Sequence, residues 1–133
     1  MTKKFWIGLA IIFGIALGGV LYQKFIKSPR CAYDGSAIPL IYEVDIVLKD
    51  QSTKKFCSIY CAAQWFKNNV QGIDHVIVTD EMRGNKIDSY MAYSVESELV
   101  TNETNDNSIH VFQQRQEAIA QTANMHGTIT DDP

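Results

Sequence analysis

The sequence predicts an α+β domain, a small mixed sheet with two helices, preceded by an N-terminal transmembrane helix. Three observations lead there. Residues 5–22 read FWIGLAIIFGIALGGVLY, a run without a single charge. Beyond residue 31, short stretches rich in apolar residues are punctuated by turn residues. Two helical stretches interrupt them, and the resulting order β-β-α-β-β-β-α is not that of a doubly wound sheet.

At the helical rise of about 1.5 Å per residue, the apolar run spans about 27 Å, close to a hydrocarbon core of about 30 Å. In water such a helix has no polar face, whereas in a bilayer its backbone satisfies itself. A cleaved signal peptide competes with this reading. Ala16 and Gly18 suit the −3 and −1 positions of a cleavage site, but Val20-Leu21-Tyr22 beyond them are still apolar. Ser28-Pro29-Arg30-Cys31 is not a lipoprotein lipobox. Residues 1–23 are therefore read as an uncleaved membrane anchor. Lys3 and Lys4 precede the run, while Lys24, Lys27 and Arg30 follow it, so flanking charge does not set its orientation. Five of the 12 Lys and Arg lie before residue 31, leaving seven against all 15 Asp and Glu, a net of −8. So acidic a domain repels nucleic acid and anionic headgroups, and no nucleic-acid partner is expected.

Residues 24–30 form a linker, in which Pro29 blocks helix continuation. Cys31-Ala32-Tyr33-Asp34-Gly35 reads as a turn. In residues 40–48, Glu43 and Asp45 alternate with apolar neighbours, the mark of a strand with one wet face. Residues 49–53 turn the chain, and 54–57 return it. Ser58 is a good N-cap for a helix over 59–69, which carries Ala62, Ala63, Trp65 and Phe66 and is followed by Gly72. Residues 74–80 make a strand, 83–86 a turn, and 87–95 a single extended stretch with Tyr90, Met91 and Tyr93. A polar loop over 101–108 leads to a strand at 109–112. A last helix over 114–125 has Gly127 as its C-cap. Residues 128–133 are expected to be a flexible tail.

Chemistry concentrates in the cysteines. Cys57 ends a strand and Cys61 lies in the first helical turn, both near the orphan N–H groups of a helix N-terminus. That position favours thiolate, the form that binds metal. Cys31 heads a neighbouring segment and completes a three-sulfur set. Soft thiolates select Cu(I) or Zn(II). Other readings stay open: a Cys57–Cys61 disulfide that leaves Cys31 odd, a redox-active pair, or two buried apolar residues.

These residues resemble a family. Cys31 in a short turn, then Phe56-Cys57-Ser58, Cys61 and Trp65-Phe66, then Val78-Thr79-Asp80, Ile87-Asp88 and Ala92-Tyr93 are similar in order and spacing to NosL proteins. Val111-Phe112 and the helix ending in His126-Gly127 also fit, so the resemblance covers residues 31–127. It implies a small domain similar to the treble-clef-like TRASH unit, with a ββα core, and to the organomercurial lyase fold. It further implies an exported, membrane-tethered accessory protein that binds Cu(I), associated with copper delivery to nitrous oxide reductase. Two methionine-bearing segments of the family are replaced. Cys31-Ala32-Tyr33 stands for Cys-Gly-Met, and Leu99-Val100-Thr101-Asn102 stands for Pro-Met-Gly. The client, a metalloenzyme or another assembly factor, is therefore left open. The expected metal ligands are Cys31, Cys57, Cys61 and His126, with Cu(I) as cargo and zinc as the alternative ion. The expected place is the inner membrane, single-pass, with the soluble domain in the periplasm or outside the cell.

His126 also suits a helix C-terminal cap. Met91 reads as core, and His75 and His110 as structural. Asp80 and Asp88 read as turn-fixing residues. Trp65 and Phe66 read as helix core that shields the cysteines. No Ser-His-Asp order or phosphate loop is present, and no catalysis is predicted. Two other classes remain as alternatives. A thiol–disulfide redox protein would use Cys57 and Cys61. An organomercurial-lyase-like enzyme would need thiols and a carboxylate together, drawn from Cys31, Cys57, Cys61 and either Asp34 or Asp80.

Overall fold

The computed structural model of the protein describes residues 28–100 and 106–131, together with Gly14, Ile15, Gly18 and Gly19. The expected anchor over 1–23 lies outside the described residues apart from those four positions. Among the described residues, no helix is long and apolar enough to cross a membrane.

Among the described residues from 28 on, seven strands and two α-helices follow one another: β1 Val44–Leu48, β2 Thr53–Phe56, α1 Ile59–Phe66, β3 Ile73–Thr79, β4 Lys86–Asp88, β5 Tyr93–Glu96, β6 Ile109–Phe112, α2 Arg115–Met125 and β7 Thr128–Asp131. The α+β class and the β1-β2-α1 unit agree with the sequence reading. The single mixed sheet does not. There are two sheets, ordered β2-β1-β3-β4 and β6-β5-β7, and every strand pairing within them is antiparallel.

The expected strand over 87–95 is cut in two. Asp88 accepts the backbone N–H of Tyr90 through Oδ1 at 3.0 Å and caps a 3-10 turn over Ser89–Met91. That turn carries the chain from the first sheet to the second. It also leaves Met91 exposed, not in the core. The expected strand over 40–48 begins instead with a 3-10 turn at Leu40–Tyr42.

Glu43 and Asp45 depart further from expectation. Neither is on a wet face; both side chains are buried. Lys55, opposite Asp45 on β2, ion-pairs with both carboxylates, and Lys86 reaches the same two at 3.1 and 3.3 Å. The long lysine stems cover carboxylates that an alternating pattern assigns to water.

Two apolar clusters hold the sheets. The larger contains Cys31, Val44, Ile46, Phe56, Cys57, Cys61, Ala62, Val78, Ile87, Ala92 and Val111. The smaller contains Val95, Phe112 and Ala118, with Tyr93, Met125 and Ile129 against it. Successive strand residues point to opposite faces, so β6 gives Val111 to one cluster and Phe112 to the other.

The end of the chain is ordered by pairing. Residues 128–131, expected as tail, add a strand to β5, with Val95 opposite Ile129 and Glu96 opposite Thr128. The α2–β7 corner also differs from expectation. His126, not Gly127, takes the left-handed conformation, at φ 51°. Gly127 is needed for closeness instead: a Cβ there would lie 2.7 Å from the Glu96 carbonyl oxygen and 2.8 Å from Val95 Cγ1.

Candidate metal centre

The centre forms where three chain segments meet. Its floor is the β2–α1 junction. Phe56 and Cys57 are fully buried, and Ser58 caps α1 by accepting the backbone N–H of Cys61 through Oγ at 3.2 Å. This fixes Cys61 in the first turn, pointing back toward Cys57. A second orphan N–H of that turn, on Tyr60, donates to Asn107 Oδ1 at 3.1 Å. Asn107 is itself buried and tied to the Ile109 carbonyl through Nδ2. The helix start is thus held from both sides. The helix runs to Phe66, shorter than expected, since Lys67 and Asn68 already lead into turn-type bonding.

Cys31 arrives from the other side. The Ala32 N–H donates to the Lys55 carbonyl at 2.8 Å, which lays the 31–36 turn against β2 two residues before Cys57. Within that turn, Gly35 N–H donates to the Cys31 carbonyl, and Cys31 N–H to the Ser36 carbonyl. Gly35 sits at φ +74°, a conformation that a Cβ would strain.

The outcome is a cluster. One ligand atom each from Cys31, Asp34, Cys57 and Cys61 lies within 4.8 Å of all the others. Cys57 Sγ and Cys61 Sγ are 3.5 Å apart, and no disulfide links any of the three cysteines. Asp34 Oδ2 is 3.5 Å from Cys61 Sγ. Its other oxygen accepts the Ser36 N–H at 2.9 Å and the Ser36 hydroxyl at 2.7 Å. The cysteines are buried, whereas Asp34 faces solvent.

Burial dominates the Cys31 and Cys61 thiols. It pushes the Cys61 thiol far up, helped by the hydrogen bond with Cys57 and opposed by Ser58. Burial also raises Cys31, while the backbone N–H groups of Asp34, Cys57 and Tyr33 hold it partly back. At Cys61 the expected lowering by the helix terminus does not prevail, because desolvation of its thiolate outweighs one eight-residue helix. Asp34 behaves oppositely. Burial works to raise its carboxyl, but hydrogen bonds from Ser36 and from the Cys31 and Cys61 thiols outweigh that and hold it at about 2.

Three of the four expected ligands are therefore brought together: Cys31, Cys57 and Cys61. His126 is not among the converging atoms. It ends α2 and lines a different depression with Glu98, Leu99, Asn124 and Met125. Asp34 takes the fourth place. Its Cys-x-x-Asp spacing from Cys31 is the sequence signal for it. Asn107 has no such signal, since it lies in a polar loop far from α1.

The remaining expectations sort quickly. Asp80 fixes a turn: its Oδ1 accepts the Gln113 N–H at 3.1 Å, and its carbonyl accepts the Gly84 N–H. It is not near the thiols' cluster of converging atoms. Trp65 packs against Phe56, with ring centroids 5.5 Å apart, while Phe66 is partly exposed. His110 is buried and bonded to Glu81, and His75 pairs with Asp74 at the surface.

The fold has a counterpart of known structure. The chain is similar to the copper chaperone NosL from Shewanella denitrificans, with a TM-score of 0.66 at 18% identity, covering 75% of this chain and 84% of that one. Its fold is NosL-like. No family model matches the chain. No curated protein matches it significantly either. The NosL-like architecture occurs here at only 18% identity, and the cysteine cluster sits within it.

Proposed function

We propose that this chain is an exported, membrane-anchored protein that binds Cu(I) through the thiolates of Cys31, Cys57 and Cys61. It would pass the ion to a client metalloenzyme or to another assembly factor, as a metallochaperone does. The observation that carries this reading is the convergence of three buried thiols, none in a disulfide, at one helix start. Soft anionic sulfur is the donor that Cu(I) prefers, and Zn(II) is the other ion that such a set accepts. The described function of the structural neighbour, copper chaperoning, agrees with it. The apolar run over 5–22 and the acid-rich remainder support a single-pass anchor with the domain in the periplasm or outside the cell.

The test is anaerobic titration of the reduced full chain in detergent with Cu(I), against a chromogenic chelator. One Cu(I) per chain is expected, lost in the Cys57→Ser, Cys61→Ser double variant. If that variant binds one Cu(I) with unchanged affinity, the reading is wrong. Placement is checked with a membrane-impermeant thiol reagent. Because the three native thiols are buried, the probe is an added one: a Lys49→Cys chain, changed at an exposed position after β1, should be labelled in cells whose outer membrane alone is opened.

One observation favours a second reading. A carboxylate stands beside the thiols, as cleavage of a carbon–metal bond would need. Release of hydrocarbon from an organomercurial by the reduced chain would establish an enzyme; stoichiometric binding without release supports the carrier. The thiol–disulfide alternative is weaker, because exchange with a partner protein's disulfide needs a sulfur that a macromolecule can reach, and Cys57 and Cys61 are fully buried.

A further inference from the structure

We propose that Asp34 is the residue by which this centre tells a divalent ion from Cu(I). It joins the three sulfurs around a four-coordinate ion such as Zn(II), and it stays off a three-coordinate Cu(I). The proposal rests on the reading that the thiolates form the metal site.

Geometry comes first. A tetrahedral zinc with metal–sulfur bonds of about 2.3 Å separates its ligand atoms by about 3.8 Å. The Cys57–Cys61 and Cys61–Asp34 separations are both 3.5 Å, close to such edges. The widest separation in the set, 4.8 Å, has to contract by only about 1 Å to match an edge. Asp34 needs no rearrangement to take part. Ser36 holds Oδ1 through two hydrogen bonds, which leaves Oδ2 turned to the sulfurs. A ligand fixed by its neighbours loses little rotamer freedom on binding, and such supporting bonds are worth about tenfold to a hundredfold in metal affinity.

Charge and hardness then discriminate. Three thiolates and a carboxylate carry four negative charges, which suits a 2+ ion better than a 1+ ion. Oxygen is a harder donor than sulfur, so it adds to Zn(II) binding and contributes little to Cu(I), which three thiolates already satisfy. Position completes the argument. Asp34 is the solvent-facing member of the set, so it sits at the open corner where an ion arrives and leaves.

The experiment measures affinities of the reduced full chain in detergent for Zn(II) alone and for Cu(I) alone, by chelator competition under anaerobic conditions. Co(II) serves as a spectroscopic probe of coordination number. Asp34→Asn keeps an oxygen for the Ser36 bonds, so the turn survives while the carboxylate is lost. It should weaken Zn(II) by about tenfold or more and alter the visible Co(II) bands, with Cu(I) affinity unchanged. Ser36→Ala loosens the turn but keeps the carboxylate, and should weaken Zn(II) less than Asp34→Asn does. Equal loss of both ions in both variants would show a merely structural role and overturn the proposal. So would an Asp34→Asn variant that binds Zn(II) as the wild type does. A wild-type chain that binds Zn(II) tightly and no Cu(I) would overturn the copper-carrier reading, while the Zn(II) contrast between wild type and Asp34→Asn would still decide the role of Asp34.

Discussion

The sulfur atoms of Cys57 and Cys61 lie 3.5 Å apart, one just after β2 and the other in the first turn of α1. A disulfide needs a separation of about 2.05 Å, so a small approach would join them. Mild oxidation with diamide should therefore link Cys57 to Cys61 and leave Cys31 free. The oxidised chain should take up no Cu(I), and dithiothreitol should restore uptake. Uptake of Cu(I) by the oxidised chain at the reduced level would mean that these two sulfurs are not ligands. Mass mapping of the linked peptides checks the pairing.

Ser58 is fully buried, and its hydroxyl satisfies the Cys61 N–H. Ser58→Ala should cost about 1 kcal/mol, the usual worth of an N-cap. For a domain of this size that lowers Tm by about 4–8 °C in thermal unfolding followed by circular dichroism. Ser58→Gly should lose less than Ser58→Ala, since glycine is tolerated at an N-cap at a cost of only a few tenths of a kcal/mol. A Tm unchanged in Ser58→Ala would show that Asn107, which holds the neighbouring Tyr60 N–H, anchors the helix start alone.

The helix at the centre was legible because its signals are local. Ser58 before a run containing Ala62 and Trp65 announces a capped amphipathic helix, and Cys57 and Cys61 come with it. Asp34 was harder. It was visible as a carboxylate in a turn, but its aim at Cys61 depends on Ser36 occupying the other oxygen. Glu43 and Asp45 obeyed the alternation rule and still misled, because Lys55 and Lys86 come from other strands to cover them. The break at Ser89–Met91 was hidden for a related reason. Apolar residues continue through it, and only the Asp88 cap marks the point where the chain changes sheets. Residues 128–131 become a strand through β5, a partner more than thirty residues earlier. His126 reads as a ligand because imidazole suits copper and zinc, yet at the end of α2 it is not among the converging ligand atoms.

Gly127 lies against β5 so closely that Gly127→Ala puts a methyl group 2.7 Å from the Glu96 carbonyl oxygen. Backbone on both sides has to move, and the cost should be about 1–3 kcal/mol in urea unfolding. The neighbouring His126 has the opposite sensitivity. It holds φ 51°, which glycine adopts without strain. His126→Gly should leave stability unchanged or raise it by up to about 1 kcal/mol. It should also leave Cu(I) affinity unaltered. A marked loss of Cu(I) binding in His126→Gly would restore His126 to the ligand set.

His110 is 1% exposed and bonds at both ring nitrogens: Nδ1 to Glu81 Oε2 at 2.9 Å and Nε2 to the Leu99 carbonyl at 3.0 Å. A carbonyl only accepts, so Nε2 carries a hydrogen. An ionised carboxylate also only accepts, so the protonated imidazolium satisfies both partners. Burial acts to lower the His110 pKa, but the hydrogen bond and charge of Glu81, with the Leu99 carbonyl, outweigh it and raise the value. A group whose pKa is higher in the folded than in the unfolded chain stabilises the fold while protonated. That contribution is complete below the unfolded value of about 6.5 and fades as pH rises through the folded value. Urea unfolding between pH 6 and pH 9, a window of about three units, should therefore show the wild type losing stability as pH rises. His110→Gln does not titrate there and should lose this component. If the wild type and His110→Gln follow the same pH dependence, the buried imidazolium does not contribute to the stability of the fold.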